Sequence, residues 1–161
     1  MAPDSVKLVA ECAAKMHEHY GGLMTRILLV GYAPETVDFS DPDLPPGMTV
    51  EKVHAGIAVA LKQFAERGWE SDVCSIRPDE TAAPTVARQL GSARYDCVVI
   101  GGGVRLPRTG LALFEAVLNA VRTAAPGAAI AFNTRPDDSA DAAARGLALG
   151  RRAAETGVQQ N

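Results

Sequence analysis

Two segments place chemically capable residues directly after an apolar run. In one, Tyr95-Asp96-Cys97-Val98-Val99-Ile100 leads into Gly101-Gly102-Gly103-Val104-Arg105; in the other, Ala128-Ala129-Ile130-Ala131-Phe132 leads into Asn133-Thr134-Arg135. Consecutive glycines let the backbone approach a ligand closely and turn N–H groups toward an anion. Guanidinium groups beside them add bidentate donors suited to a carboxylate or a phosphate. Asn133 and Thr134 either orient a ligand or satisfy backbone groups at the turn. The candidate ligand-binding residues are therefore Gly101, Gly102, Gly103, Arg105, Asn133, Thr134 and Arg135. The spacing G-x-G-x-x-G opening straight into a helix is not met, because Val104-Arg105-Leu106-Pro107-Arg108 is expected to separate the glycines from the next helix. Close packing of the loop after the first strand is the competing account of the glycines.

Proton-moving groups are sparser. His54 falls in the second turn of an expected helix, and Glu35 lies in an acidic, proline-containing stretch with Asp38, Asp41 and Asp43. Either His54 or a carboxylate of that stretch acts as a general base if the loop folds over the helix. The plainer reading is a half-buried imidazole and solvated carboxylates. His54 and Glu35 are thus the catalytic candidates, and no nucleophile is evident. No Asp-x-Asp or His-rich set implies a metal, and His17 and His19 fall on different faces of a helix. Cys12, Cys74 and Cys97 lack metal-ligand spacing, and their odd number argues against a disulfide framework. Cys74 and Cys97 sit in expected strands, where a thiol behaves as a small hydrophobe. The tripeptide Arg-Pro-Asp occurs twice, at Arg77-Pro78-Asp79 and Arg135-Pro136-Asp137. It reads as a turn stiffener at Arg77, whereas ligand and structural roles both stay open for Arg105 and Arg135.

The elements that must hold these residues follow from periodicity. Runs apolar on both faces suit the buried strands of a parallel sheet. Strands are expected at Arg26–Gly31, Trp69–Arg77, Tyr95–Ile100 and Ala128–Phe132. Between them, Val50, Val53, Ile57, Leu61 and Phe64 repeat at helical spacing behind Thr49 as N-cap, and Gly68 stops that helix. Further helices are expected through about Ala93 (with Val86 and Leu90 inward), over about Gly110–Ala124, and from Ser139 or Asp138 to about Ala154. The order β-α-β-α-β-α-β-α predicts a three-layer α/β sandwich whose four-stranded parallel sheet has the order 2-1-3-4. Ligands of such sheets sit beyond the carboxyl ends of the strands, at the switch point between the first and third. The connection from Tyr32 to Met48 is about three times the usual strand-to-helix length. With four prolines and the apolar anchors Phe39, Leu44 and Met48, it reads as an ordered flap over that edge.

At 161 residues the chain is expected to form one domain over 24–155, with a helical appendage at 1–23 and a frayed tail at 156–161. Hydrophobic residues reach 47% while aromatics are 5%, the make-up of an alanine-rich α/β protein. A net charge of −3 offers no general attraction to nucleic acid. No apolar run approaches the roughly 20 residues of a membrane span. Residues 1–24 carry Lys7, Glu11, Lys15 and Glu18 and lack the apolar core of a signal peptide, so a cytoplasmic setting is expected.

The segment Tyr95–Arg105 resembles the third strand of flavodoxin-like domains, whose following loop touches a flavin. Phe132-Asn133-Thr134-Arg135-Pro136-Asp137-Asp138 resembles the fourth strand of response-regulator receivers. The chain departs from both. Tyr32-Ala33-Pro34-Glu35 is not the Ser/Thr-rich phosphate loop of a flavodoxin, Gly101 stands where a receiver has its phospho-accepting Asp, and a fifth strand is lacking. As a whole it is similar to small uncharacterised bacterial α/β proteins with Ser-Asp-Pro, Leu-Pro-Pro-Gly and Asn-Thr-Arg-Pro segments, which implies a flavodoxin-like or Rossmann-like fold and no function. The reading is a protein that binds, or also transforms, a small carboxylate- or phosphate-bearing ligand. The alternatives are an oligomerising interaction module and an FMN-binding protein, although the sequence itself requires no cofactor. A homodimer or larger homo-oligomer, burying the edge of the last strand and helix, is expected because four strands leave exposed edges.

Overall fold

The computed structural model describes residues 24–158; the expected helix over 5–19, with Cys12, His17 and His19, lies outside the described residues. Strand β1, Arg26–Tyr32, carries Ile27, Leu28, Leu29 and Val30 in succession, all buried. Only a central strand covered on both faces can bury four consecutive side chains. β1 pairs in parallel with β2 (Glu70–Ile76) on one side and with β3 (Cys97–Ile100) on the other, and β3 pairs in parallel with β4 (Ala129–Phe132). The sheet order is therefore β2-β1-β3-β4, as the alternation of strands and helices predicts.

Side chains alternate between two cores. Leu28, Val30, Cys74, Ile76, Val98 and Ile100 face α2 (Ala82–Ser92) and α4 (Leu111–Ala124), which contribute Val86, Leu90, Val117 and Val121. Ile27, Leu29, Cys97, Val99 and Ala131 face α1 (Val50–Glu66) and α5 (Ser139–Val158), which contribute Ala60, Phe64, Ala140, Ala142 and Ala143. The second core is built largely from alanine, so its helices lie close to the sheet. At Gly146 of α5 an added Cβ would stand 3.0 Å from the Ala131 side chain and 3.3 Å from the Cys97 sulfur. At Gly56 of α1 it would stand 2.9 Å from Pro136. Arg67, just past α1, donates to the Ala140 carbonyl at 2.8 Å, pairs with Asp141 and stacks over Trp69, joining the two helices of this layer.

Helix boundaries follow local chemistry. The Thr49 hydroxyl accepts the Lys52 N–H at 3.2 Å and caps α1, and Gly68, at φ +74°, turns the chain away after it. The last helix continues to Val158, beyond the expected end near Ala154. One expectation is overturned at the glycine elbow. Gly102–Arg105 forms a single helical turn, α3, directly after the strand, in place of an irregular spacer. Extended Gly101 accepts the Val104 N–H and Gly102 accepts the Leu106 N–H. Pro107, which has no N–H to donate, ends the turn before the 3₁₀ segment Arg108–Gly110.

The glycines of this elbow differ sharply in what surrounds them. A Cβ on Gly102 would lie 2.8 Å from the Thr134 carbonyl oxygen, a backbone atom with no freedom to retreat, whereas a Cβ on Gly103 would meet nothing within 4 Å. Gly102→Ala should destabilise the fold by about 1–3 kcal/mol. Gly103→Ala, one residue along the same turn, should stay within about 0.5 kcal/mol of the parent. Urea unfolding of the two variants checks the contrast.

Candidate functional site

The sheet and the flap enclose one side of the carboxyl edge. Leu29 and Val73 are register partners, as are Gly31 and Ser75, and the alternation set by Leu29 puts all four on the face that α1 covers. They form the floor of a cavity whose wall is Val53 and Ile57 of α1 and whose roof is Val37, Phe39, Leu44, Pro45 and Met48 of the flap. The far end is closed by the two elbows, Gly101–Gly103 and Asn133–Pro136. The space measures about 750 Å³ with the solvent at its mouth included. Gly31 keeps it open: a Cβ there would meet no atom within 4 Å. Tyr32 also borders the cavity, and burial pushes its phenol above the ordinary value.

The flap is ordered by its own turns and by three tethers. Its first residues form a 3₁₀ turn, Pro34–Thr36, whose Thr36 hydroxyl donates to the Ala33 carbonyl at 2.7 Å. Glu35 Oε1 lies 2.7 Å from His54 Nε2, fastening the start of the flap to α1. Lys52 Nζ donates to the Gly47 carbonyl at 2.6 Å, fastening its end to the same helix. Asp43 pairs with Arg108 Nε at 3.3 Å, fastening its middle to the segment before α4. The two catalytic candidates, His54 and Glu35, are thus brought together, at side-chain exposures of 56% and 63% and outside the cavity lining. The hydrogen bond from His54, with a smaller contribution from Glu35's own amide, holds the Glu35 carboxyl below its ordinary 4.5.

Asn133 is 2% exposed and shapes the far end. Its Oδ1 accepts the Gly102 N–H at 2.8 Å, and its Nδ2 donates at 2.9 Å to the Ser139 hydroxyl, which donates in turn to the Pro136 carbonyl. The side chain therefore joins the third-strand elbow to the start of α5. Asp138 caps the neighbouring turn by accepting the Thr134 and Arg135 N–H groups. Arg135 borders the cavity and makes one 3.4 Å contact with Asp137; Arg77 repeats that contact with Asp79 at the same distance. The repeated tripeptide is thus a repeated local ion pair. Arg105 does not line the cavity. Its guanidinium donates to the Asn133 carbonyl at 3.1 Å and lies over the Phe132 ring, on the face of α4, where Phe132 meets Phe114.

Gly101, Gly102, Gly103, Asn133, Thr134 and Arg135 are therefore gathered at one end of one cavity, while Arg105 stands on the other face of the sheet. The sequence reading did not single out Gly31, Ser75, Val53 and Ile57 as lining residues. A glycine interrupting the β-branched run of β1, opposite a lone polar residue in β2, was the available signal. Among the described residues no group of three His, Cys, Asp or Glu side chains is placed to hold a metal ion. An FMN phosphate would need free donors after β1. There the Ala33 N–H donates to Ile76, the Thr36 N–H and hydroxyl both donate to Ala33, and the Val37 N–H donates to Pro34, so these residues do not fit that group. The thiols of Cys74 and Cys97 are buried on opposite faces of the sheet, and burial pushes Cys97 up to about 12, which suits a core residue and not a nucleophile.

No protein-family model and no curated protein matches this chain.

Two outcomes follow from the geometry. Asn133→Leu removes the acceptor of a buried N–H and should cost about 1–3 kcal/mol in thermal or urea unfolding. Because Glu35 titrates below its ordinary value in the folded chain, its tether is intact above that value and is lost as pH falls through the lowered one. In His54→Ala the Glu35 carboxyl should return toward 4.5 in a ¹³C titration, and amides 35–39 should exchange faster at neutral pH.

Proposed function

We propose that this chain is a small-molecule-binding protein whose site is the cavity between the flap, α1 and the carboxyl edge of the sheet, and that its ligand bears an anionic group. The observation that carries the reading is the unfilled floor at Gly31, a space lined by apolar side chains and closed at one end by the glycine and Asn-Thr-Arg elbows. A closely packed fold with no ligand to accommodate fills such space with side chains, and sheets of this order bind ligands at this edge. The reading is of binding and not of catalysis: among the described residues the one imidazole–carboxylate pair, His54–Glu35, is spent on fastening the flap and lies outside the lining. Two free, buried thiols suit a reducing, cytoplasmic compartment. Among the described residues no helix is long and apolar enough to cross a membrane. The likeness to flavodoxin-like domains supports the location of the site and not a flavin in it, given the occupied donors after β1.

A thermal-shift screen of carboxylic acids, phosphorylated metabolites and nucleotides tests the reading. Binders should raise the melting temperature of the parent and lose that effect in Gly31→Val, whose side chain occupies the floor. Gly31 lies in a regular strand with no positive φ, so Gly31→Ala itself should leave stability equal or raise it by about 0.4–1 kcal/mol. The melting temperature of each variant without ligand, read in the same screen, separates loss of binding from loss of fold. Stabilisation that persists in Gly31→Val would place the ligand elsewhere.

A second reading, pairing of two copies along β4, rests on a separate observation. Among the described residues β4 has a neighbour on one side only, and Phe132 at its end is 36% exposed. Light scattering at high micromolar concentration should then give twice the monomer mass; a clean monomer refutes the pairing.

A further inference from the structure

We infer that the ligand of this cavity is an apolar carboxylic acid, a single carboxylate on an aromatic or short acyl body, and not a phosphate ester or nucleotide. The inference rests on the cavity being the ligand site, as proposed above. Phosphate recognition at strand ends depends on several free backbone N–H groups converging on one oxyanion. At this edge three of those groups are already taken by the chain's own oxygens. The Gly102 N–H is bound by Asn133, and the Thr134 and Arg135 N–H groups are bound by Asp138. Three donors that could otherwise hold an oxyanion are thus engaged from within.

The charges agree. Arg135 is the one Lys or Arg side chain lining the cavity among the described residues, and that side chain is 60% exposed with a 3.4 Å contact to Asp137. Around it stand Asp137 and Asp138, and the flap carries Glu35, Asp38, Asp41 and Asp43. A ligand with two or more negative charges would meet a single guanidinium in the lining, one that already has Asp137 at 3.4 Å. A monocarboxylate matches that guanidinium one to one, with the Ser75 and Thr134 hydroxyls within the same lining. The remainder of the space accepts only apolar surface: Leu29 and Val73 below, Ile57 beside, Phe39 and Met48 above. Burying a ring or a chain of several methylenes there supplies the main affinity, since each buried CH₂ contributes about 0.8 kcal/mol.

The experiment uses the full chain, ¹⁵N-labelled, titrated with benzoate, hexanoate, 1-hexanol, inorganic phosphate, AMP and FMN. Benzoate or hexanoate should shift the amides of Gly31, Val53 and Thr134, while phosphate, AMP and FMN should leave them in place. Hexanol should bind about tenfold more weakly than hexanoate, the effect of one charge-assisted hydrogen bond. Arg135→Gln should remove that difference by weakening hexanoate about tenfold and sparing hexanol. Shifts by AMP, FMN or phosphate at these amides, abolished by Gly31→Val, would overturn the carboxylic-acid assignment and leave the cavity as the site. Shifts that survive Gly31→Val and Gly31→Ala, or none from any probe at millimolar concentration, would overturn the cavity reading and the inference with it.

Discussion

The carboxyl edge depends on one buried amide, that of Asn133. Strand ends in a parallel sheet leave N–H and C=O groups without ladder partners, and burial makes each unmet group costly. The Asn133 side chain meets the Gly102 N–H with its oxygen and the Ser139 hydroxyl with its nitrogen. A carboxylate at this position would lack the donor, and a hydrophobe would lack both. This bridge holds the third-strand turn against the fourth-strand turn closely enough that position 102 has no room for a Cβ. The same contact fixes where α5 begins, and hence where its alanine face meets Ala131 and Cys97.

Close approach is the common theme of this side of the sheet. Gly56 against Pro136, Gly102 against Thr134 and Gly146 against Ala131 are three places where a missing side chain lets two elements touch. Gly31 is the opposite case, a missing side chain with nothing brought in to replace it. At Gly31 the open space lies between the sheet and α1, and the flap closes over that spot. The flap itself is fastened by exposed polar contacts, which contribute little individually. Its apolar underside, Phe39, Leu44 and Met48, borders the cavity.

The guanidinium groups show how position in the pleat decides role. Arg105 and Arg135 follow adjacent strands and are alike in sequence context, each after an apolar run. Arg105 leaves its helical turn toward α4, where the Phe132 ring and the Asn133 carbonyl hold it. Arg135 follows the turn capped by Asp138 and reaches the cavity on the face of α1. Elbow chemistry alone treats the two as equivalent.

Strand and helix positions and the sheet order were legible in the sequence because each rests on short-range regularities. Four consecutive buried residues in β1, the helical stripe from Val50 to Phe64, and the Thr49 and Gly68 signals at its ends need no knowledge of distant contacts. The flap was legible for the same reason, as a long proline-bearing connection with apolar anchors. What required tertiary structure was every assignment depending on where two elbows meet. The glycines divide into one that packs (Gly102) and one that is open (Gly103) because the Thr134 carbonyl lies against the first. The Gly102 and Thr134 N–H groups are occupied by Asn133 and Asp138, residues 31 and 4 positions away from the groups they bind. Gly31 becomes the cavity floor only because α1 and the flap stand off it. Periodicity sets which face a residue takes; the distance between faces, and so whether a site is filled or empty, is decided by packing.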